Sequence, residues 1–179
     1  NDDINTAAAA MQELQPWLAQ TKGLVLDLRY NGGGLIRVAN QLSTQIARNT
    51  VQGEVFVKYQ YNDKNTAKNT TTLFALGAGS SVLDLERVMV LTTASSCSSS
   101  ELVINSLAPF IEVVQIGSTT CGKPVGQQPD IIGDYVLFAI NFQTVNALNQ
   151  GEYFDGLQPN CPVADAITGD WGVADDPLY

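Results

Sequence analysis

The sequence contains no histidine. That absence alone removes the Ser-His-Asp triad, the Cys-His dyad and every imidazole acid–base step from the chemistry open to the chain. It also removes the commonest catalytic metal ligand, and the three cysteines, Cys97, Cys121 and Cys161, are too scattered to form a zinc-binding spacing. Three thiols allow at most one internal disulfide and leave one over. Positive charge is scarce as well. Nine Lys and Arg stand against eighteen Asp and Glu, a formal charge of −9 that repels nucleic acids and anionic lipid surfaces. No apolar run approaches the roughly 20 residues needed to span a bilayer; Tyr135 to Ile140 is among the longest, and nothing near Asn1 has the charged-then-apolar form of a signal peptide. A chain that opens on Asn1 rather than Met reads as a processed form or as part of something longer.

What is present is the composition of one globular domain: 179 residues, 45% hydrophobic and 15% charged, enough to bury a core. Asn5 to Thr21 reads as a helix, with Met11, Leu14 and Leu18 at helical spacing and Pro16 interrupting its middle. Leu24 to Leu28 is a short apolar run of buried-strand type, followed by the turn Asn31-Gly32-Gly33-Gly34 and a helix from Leu35 to Arg48. Glu54 to Tyr61 alternates as a strand, Asn62 to Thr72 is a polar hairpin tip or loop, and Arg87 to Thr92 is a second buried strand. A serine-rich turn, Ser95 to Ser100, leads into a helix from Glu101 to about Leu107, stopped by Pro109. Glu112 to Ile116 is the next strand, Gly117 to Pro129 a loop, Tyr135 to Phe142 a further strand, and the segment from Gly151 onward is irregular and acidic. Strands alternating with helices predict an α/β domain with a largely parallel core sheet.

Two turns that leave a buried strand and enter a helix are places where free backbone amides converge. In the second, a serine hydroxyl can sit beside the first amides of the helix, the position of a nucleophile. Taken alone, the same run also reads as a solvated turn with an N-cap. A nucleophilic serine needs a base, and without histidine the candidates are carboxylates and five lysines. Lys22, Lys58, Lys64 and Lys68 lie in polar or edge contexts, whereas Lys123 sits between Gly122 and Pro124 in a loop that follows an apolar strand. Enclosure in apolar surroundings disfavours an ammonium ion and makes a neutral amine available as a base.

Three segments in this order resemble the C-terminal processing peptidases, also called tail-specific proteases, over nearly the whole chain: Gly23-Leu-Val-Leu-Asp-Leu-Arg-Tyr-Asn-Gly-Gly-Gly-Leu35, Val90-Leu-Thr-Thr-Ala-Ser-Ser-Cys-Ser-Ser-Ser-Glu101, and Ile116-Gly-Ser-Thr-Thr-Cys-Gly-Lys-Pro-Val-Gly-Gln127. The resemblance implies a Ser-Lys dyad. It assigns the nucleophile to Ser98, three residues before the glutamate that opens the helix, and the general base to Lys123, 25 residues further on. It assigns Gln127, four residues beyond the lysine, to positioning the amine. The backbone N–H groups of Ser99 and of a glycine in the first turn, Gly33 foremost, form the oxyanion hole in this reading. Asp27 and Arg29 are expected to be structural, orienting the glycine turn through hydrogen bonds.

What the resemblance implies further is a ClpP/crotonase-like fold of stacked β-β-α units and hydrolysis of peptide bonds through an acyl-enzyme, with no metal or organic cofactor. Peptides or proteins are the implied substrates. The expected location is periplasmic or extracellular, as for most bacterial members. A catalytically silent ligand-binding module of the same fold, like the related retinoid-binding modules, is the alternative; a crotonase-type acyl-thioester enzyme matches the motifs less well. Because the mechanism brings Ser98 and Lys123 together, Cys97 and Cys121, which flank them, are expected within disulfide reach, leaving Cys161 free. The chain departs from the family in three respects. Serines adjoining Ser98 offer competing hydroxyls, the strand and aromatic residue that usually precede the first helix are missing, and so is a PDZ domain. Residues 1–179 therefore read as a single catalytic core.

Overall fold

The computed structural model describes Ala9, Glu13 and residues 23–77 and 80–178. The helix expected over Asn5 to Thr21 falls, those two residues apart, outside this range. Eight strands and two α-helices are described: β1 (Val25–Asp27), α1 (Ile36–Ile46), β2 (Val55–Tyr61), β3 (Thr70–Leu73), β4 (Arg87–Thr92), α2 (Ser99–Leu107), β5 (Glu112–Gly117), β6 (Val125–Ile132), β7 (Tyr135–Val145) and β8 (Cys161–Pro162).

The strands form two sheets. The first, in the order β1-β4-β5-β8, is parallel throughout, with Val25 opposite Met89, Arg87 opposite Glu112 and Ile116 opposite Cys161. The second, in the order β3-β2-β7-β6, is antiparallel. The expected parallel core is thus only one of two sheets. The loop assigned to Gly117–Pro129 ends at Lys123 or Pro124, because β6 begins at Val125. Glycine, two glutamines and a proline disguise β6 as a loop, and an edge strand tolerates them because only one of its sides is paired. The polar stretch Asn62–Thr72 likewise hides β3, which closes a hairpin with β2 after a short 3₁₀ turn at Thr66–Lys68.

Apolar residues of β2 and β4 and of both helices form the main core, where Phe56, Val57, Val88, Val90, Ile46 and Leu107 are fully enclosed. Phe74 packs edge-on against both Phe56 and Phe110. Helix α2 is buried along its whole length, polar residues included. Such a helix has no solvent-facing stripe, so its polar groups look inward for partners, which Glu101 and Asn105 find and the Ser106 hydroxyl does not among the described residues. Among the described residues no helix is long and apolar enough to cross a membrane.

Candidate active site

Three neighbouring strands of the parallel sheet each end in a connection that supplies one part of the site. β1 runs into the Asn31–Gly34 turn, β4 into the serine turn before α2, and β5 into the loop that carries Lys123. The carboxyl ends of parallel strands are where α/β folds collect ligand-binding groups. Here Ser98, Ser99, Lys123, Gln127, Gly32 and Gly34 line one cavity of about 470 Å³, whose apolar wall includes Leu35, Tyr59, Leu102, Phe138 and Phe142.

Ser98 takes the conformation φ 56°, ψ −115°, which non-glycine residues rarely adopt. This conformation turns the residue out of the strand direction and immediately into α2, the geometry of a sharp strand-to-helix elbow. The competing hydroxyls are engaged elsewhere. Ser96 donates to the Leu28 carbonyl (2.7 Å), Ser99 to the Gly34 carbonyl (2.7 Å) and Ser100 to the carbonyl and side-chain oxygens of Asn31 (2.8 and 2.9 Å). Ser95 is exposed and lines a different depression. Of the serines in this turn, Ser98 alone both faces the Lys123 cavity and donates its hydroxyl to no acceptor among the described residues.

Glu101 joins the serine turn to the lysine loop. Fully buried one turn into α2, it accepts the Ser98 and Lys123 backbone N–H groups on one oxygen, at 2.9 Å each. Its other oxygen takes the Gly122 N–H (2.8 Å) and the Thr120 hydroxyl (2.5 Å). Four donors around one carboxylate satisfy a buried charge that would otherwise be costly. The two segments are also bridged covalently: Cys97 and Cys121 form a disulfide with Cα atoms 5.2 Å apart, and Cys161 is free and exposed. Cys97, Cys121 and Glu101 lie close enough to suggest metal ligands, but with both sulfurs in a disulfide only the carboxylate retains ligand character.

Lys123 is half-buried, and among the described residues its amine has neither a carboxylate within 4.0 Å nor a hydrogen-bond partner. Gly122, at φ +83°, has no room for a side chain, since a Cβ there would lie 2.1 Å from the Phe154 carbonyl oxygen. The backbone beyond the lysine is held by Thr144, whose N–H and hydroxyl both donate to the Pro124 carbonyl. Gln127 shares the cavity, but its side-chain amide donates to the Phe138 carbonyl (2.9 Å), an anchorage within the β6–β7 hairpin.

Gly33 packs directly on the serine turn. At φ +101°, a Cβ on it would lie 2.7 Å from the Cys97 carbonyl and 2.8 Å from the Ser99 nitrogen. Its own N–H is not free, because it donates to Asn31 Oδ1 at 3.0 Å. This qualifies its expected role as an oxyanion donor. The Ser99 N–H, at the first position of α2, donates to no protein acceptor among the described residues, as helix geometry requires of a first-turn amide. Behind the glycine turn, Arg29 is buried and donates to Asp27 through its backbone and Nε at 3.1 Å and through a terminal nitrogen at 2.6 Å. Burial pushes the Asp27 carboxyl up, but the hydrogen bonds from Arg29 outweigh it and hold the group below its ordinary value.

Of the sequence-assigned residues, Ser98, Ser99, Lys123 and Gln127 line one cavity, with Gly33 behind it against the serine turn. The residue that sequence reasoning passed over is Glu101, seen only as a helix opener. Its signal was its place three residues after Ser98, the capping-box position.

Residues 2–163 match the model of a protein family described as peptidase family S41. No curated protein matches the chain. Among solved structures, a protein assigned as an S41 protease from Bacteroides fragilis superposes with a TM-score of 0.82 at 28% identity, covering 90% of this chain and 42% of its own. The photosystem II D1 C-terminal processing protease has a TM-score of 0.68 at 21% identity, covering 89% of this chain and 39% of its own. A lipoprotein from Streptococcus agalactiae has 0.66 at 17%, covering 88% and 56%. The chain therefore spans about half or less of the length of these structures.

Proposed function

The chain belongs to peptidase family S41, and from that premise we propose that it is the catalytic core of a serine endopeptidase working through a Ser98–Lys123 dyad. The α/β architecture then corresponds to the ClpP/crotonase-like arrangement of stacked β-β-α units. The observation that carries the proposal is the selective freedom of Ser98. Its neighbours at 96, 99 and 100 spend their hydroxyls on backbone carbonyls, while Ser98, at a strained elbow, leaves its own undonated in a cavity that also holds a lysine with no partner among the described residues.

The Ser98 hydroxyl attacks the scissile carbonyl as Lys123 takes its proton, giving a tetrahedral intermediate. The oxyanion is received by the Ser99 N–H and an N–H of the Gly32–Gly34 turn. Collapse expels the leaving amine, which takes the proton back from Lys123 and leaves an acyl-Ser98 that water hydrolyses. The positive end of α2, where the Ser99 N–H is left free while the Ser100 N–H donates to the Cys97 carbonyl, favours the developing negative charge. Gln127, on the strand that follows the lysine, borders the path of the amine and limits where it can settle. Substrates are peptides or proteins with an apolar side chain for the wall of Leu35, Leu102 and Phe142. The Cys97–Cys121 disulfide supports residence in an oxidising compartment, the periplasm or the cell exterior.

A fluorophosphonate probe tests the proposal. It should label the wild type at Ser98, and Ser98→Ala and Lys123→Arg should lose both labelling and casein hydrolysis while keeping the wild-type circular dichroism spectrum, since a guanidinium does not give up its proton. Labelling of Ser98→Ala at another serine, or hydrolysis by Lys123→Arg, would refute the dyad. An unreactive wild type would favour a silent binding module.

A further inference from the structure

Arg29 is held from two directions. Asp27 approaches from its own strand, and a segment far along the chain closes over it from the other side. Asp176 makes a two-pronged ion pair with the guanidinium, 2.8 and 2.9 Å, with the Asp176 side chain 1% exposed. Asp165 accepts a third contact at 3.3 Å, and the Trp171 ring lies 5.5 Å from the guanidinium carbon, within cation–π range. Every N–H group of the guanidinium fork thus faces a carboxylate. The carboxylate of Asp176 also accepts the N–H groups of Gly172 (2.9 Å) and Leu178 (3.1 Å), so one side chain shapes its own segment as well as binding Arg29.

The same segment reaches the lysine side of the site. Val163 donates its N–H to the Gly117 carbonyl (2.9 Å), and buried Leu178 lies against Gly117, where a Cβ would come within 2.9 Å of Leu178 Cδ2. Gly117 is the last residue of β5, from which the lysine loop departs. Arg29 stands two residues before Asn31, whose carbonyl receives the Cys97 N–H and the Ser100 hydroxyl and whose side chain holds Gly33. A single segment therefore clamps the roots of both the glycine turn and the lysine loop without lining the cavity itself.

We propose that residues 163–178 form a strap belonging to the catalytic apparatus, with Asp176 a positioning residue that acts through Arg29 to keep the Asn31–Gly34 turn aligned with Ser98. The proposal rests on the peptidase reading above. A segment that merely covered the core would need no buried charge. Apolar residues fill such a surface at lower desolvation cost, whereas a bidentate ion pair fixes both position and angle. Displacements on the order of 1 Å at a reacting group cost about a hundredfold in rate, so loosening this anchor should act on turnover rather than on binding.

The test uses Asp176→Asn and Leu178→Ala in the full chain, assayed on labelled casein at a temperature where circular dichroism finds each variant folded. Asp176→Asn should lower kcat between about tenfold and a hundredfold with KM within twofold of wild type, and should slow fluorophosphonate labelling of Ser98 in proportion. If Asp176→Asn does not fold, Leu178→Ala, which leaves the ion pairs in place, carries the test, with a severalfold fall in kcat and unchanged KM expected. A folded Asp176→Asn with wild-type kcat and labelling rate, or, failing that variant, a folded Leu178→Ala with wild-type kcat, would overturn the inference. A wild type that neither hydrolyses casein nor labels would instead refute the peptidase reading on which it rests.

Discussion

Replacing Glu101 by Gln tests the centre of the site most sharply, because only one oxygen is exchanged for an NH₂ group. The carboxylate serves four donors, two to each oxygen. A glutamine has one acceptor oxygen, so its NH₂ must face one of the two pairs. Facing Ser98 and Lys123, it orphans two partly buried backbone N–H groups. Turned towards Thr120 and Gly122, it orphans only the Gly122 N–H, since the Thr120 hydroxyl can rotate and accept. The second orientation is therefore preferred. One orphaned donor costs about 1–3 kcal/mol, and the loss of charge assistance in the surviving bonds adds about 1 kcal/mol more. A total of about 3 kcal/mol lowers the melting midpoint of a domain of this size by about 6–12 °C. Turnover should fall about a hundredfold, since the serine turn and the lysine loop lose a shared anchor. Thermal melting followed by circular dichroism, paired with the rate of fluorophosphonate labelling, reads both effects. A variant that melts within about 2 °C of wild type, less than 1 kcal/mol in a domain this size, and labels at the wild-type rate would show that Glu101 does not join the two segments.

Three further outcomes follow from particular contacts. Gly33→Ala should abolish turnover, because its Cβ would be forced against the Cys97 carbonyl and the Ser99 nitrogen at a φ of +101°; wild-type casein hydrolysis by the variant would contradict that packing. Reducing the Cys97–Cys121 disulfide, a 24-residue separation, should destabilise the chain by about 3.5 kcal/mol on the loop-entropy relation. A melting curve unchanged after thiol counting confirms full reduction would argue against it. Asp176 is held down at about 2, chiefly by its hydrogen bonds from Arg29. Its contribution to stability is therefore complete above its unfolded value near 4 and is lost as the pH falls towards 2. Melting midpoints should drop across that window in the wild type and less steeply in Asp176→Asn; parallel slopes would refute the assignment.

The parts of the fold legible in the sequence are those whose signal is local. β4 coincides with its apolar run, α1 lies within the predicted helix, and the turns at Gly32–Gly34 and Ser95–Ser98 fall where glycine and serine cluster. Even the Cys97–Cys121 pairing followed once the serine and the lysine were brought together. What escaped was long-range. β6 carries edge-strand chemistry that imitates a loop, and β8 is two residues long and exists only through its pairing with β5. Asp176 stands 147 residues from Arg29, and nothing in an irregular acidic stretch distinguishes the one carboxylate that is buried from its exposed neighbours. Glu101 was visible as a cap but not as a bridge, because its four partners come together only when β4 and β5 lie side by side.

That adjacency also has a temporal side. The glycine turn, Ser98 and Lys123 lie on three separate crossover connections of one parallel sheet, and pairings of this kind close late because each must first overcome the entropy of a long loop. A partly unfolded chain can therefore carry Ser98, Lys123 and the glycine turn without bringing them together. On the proposed dyad, the site would then be complete only once these strands had paired.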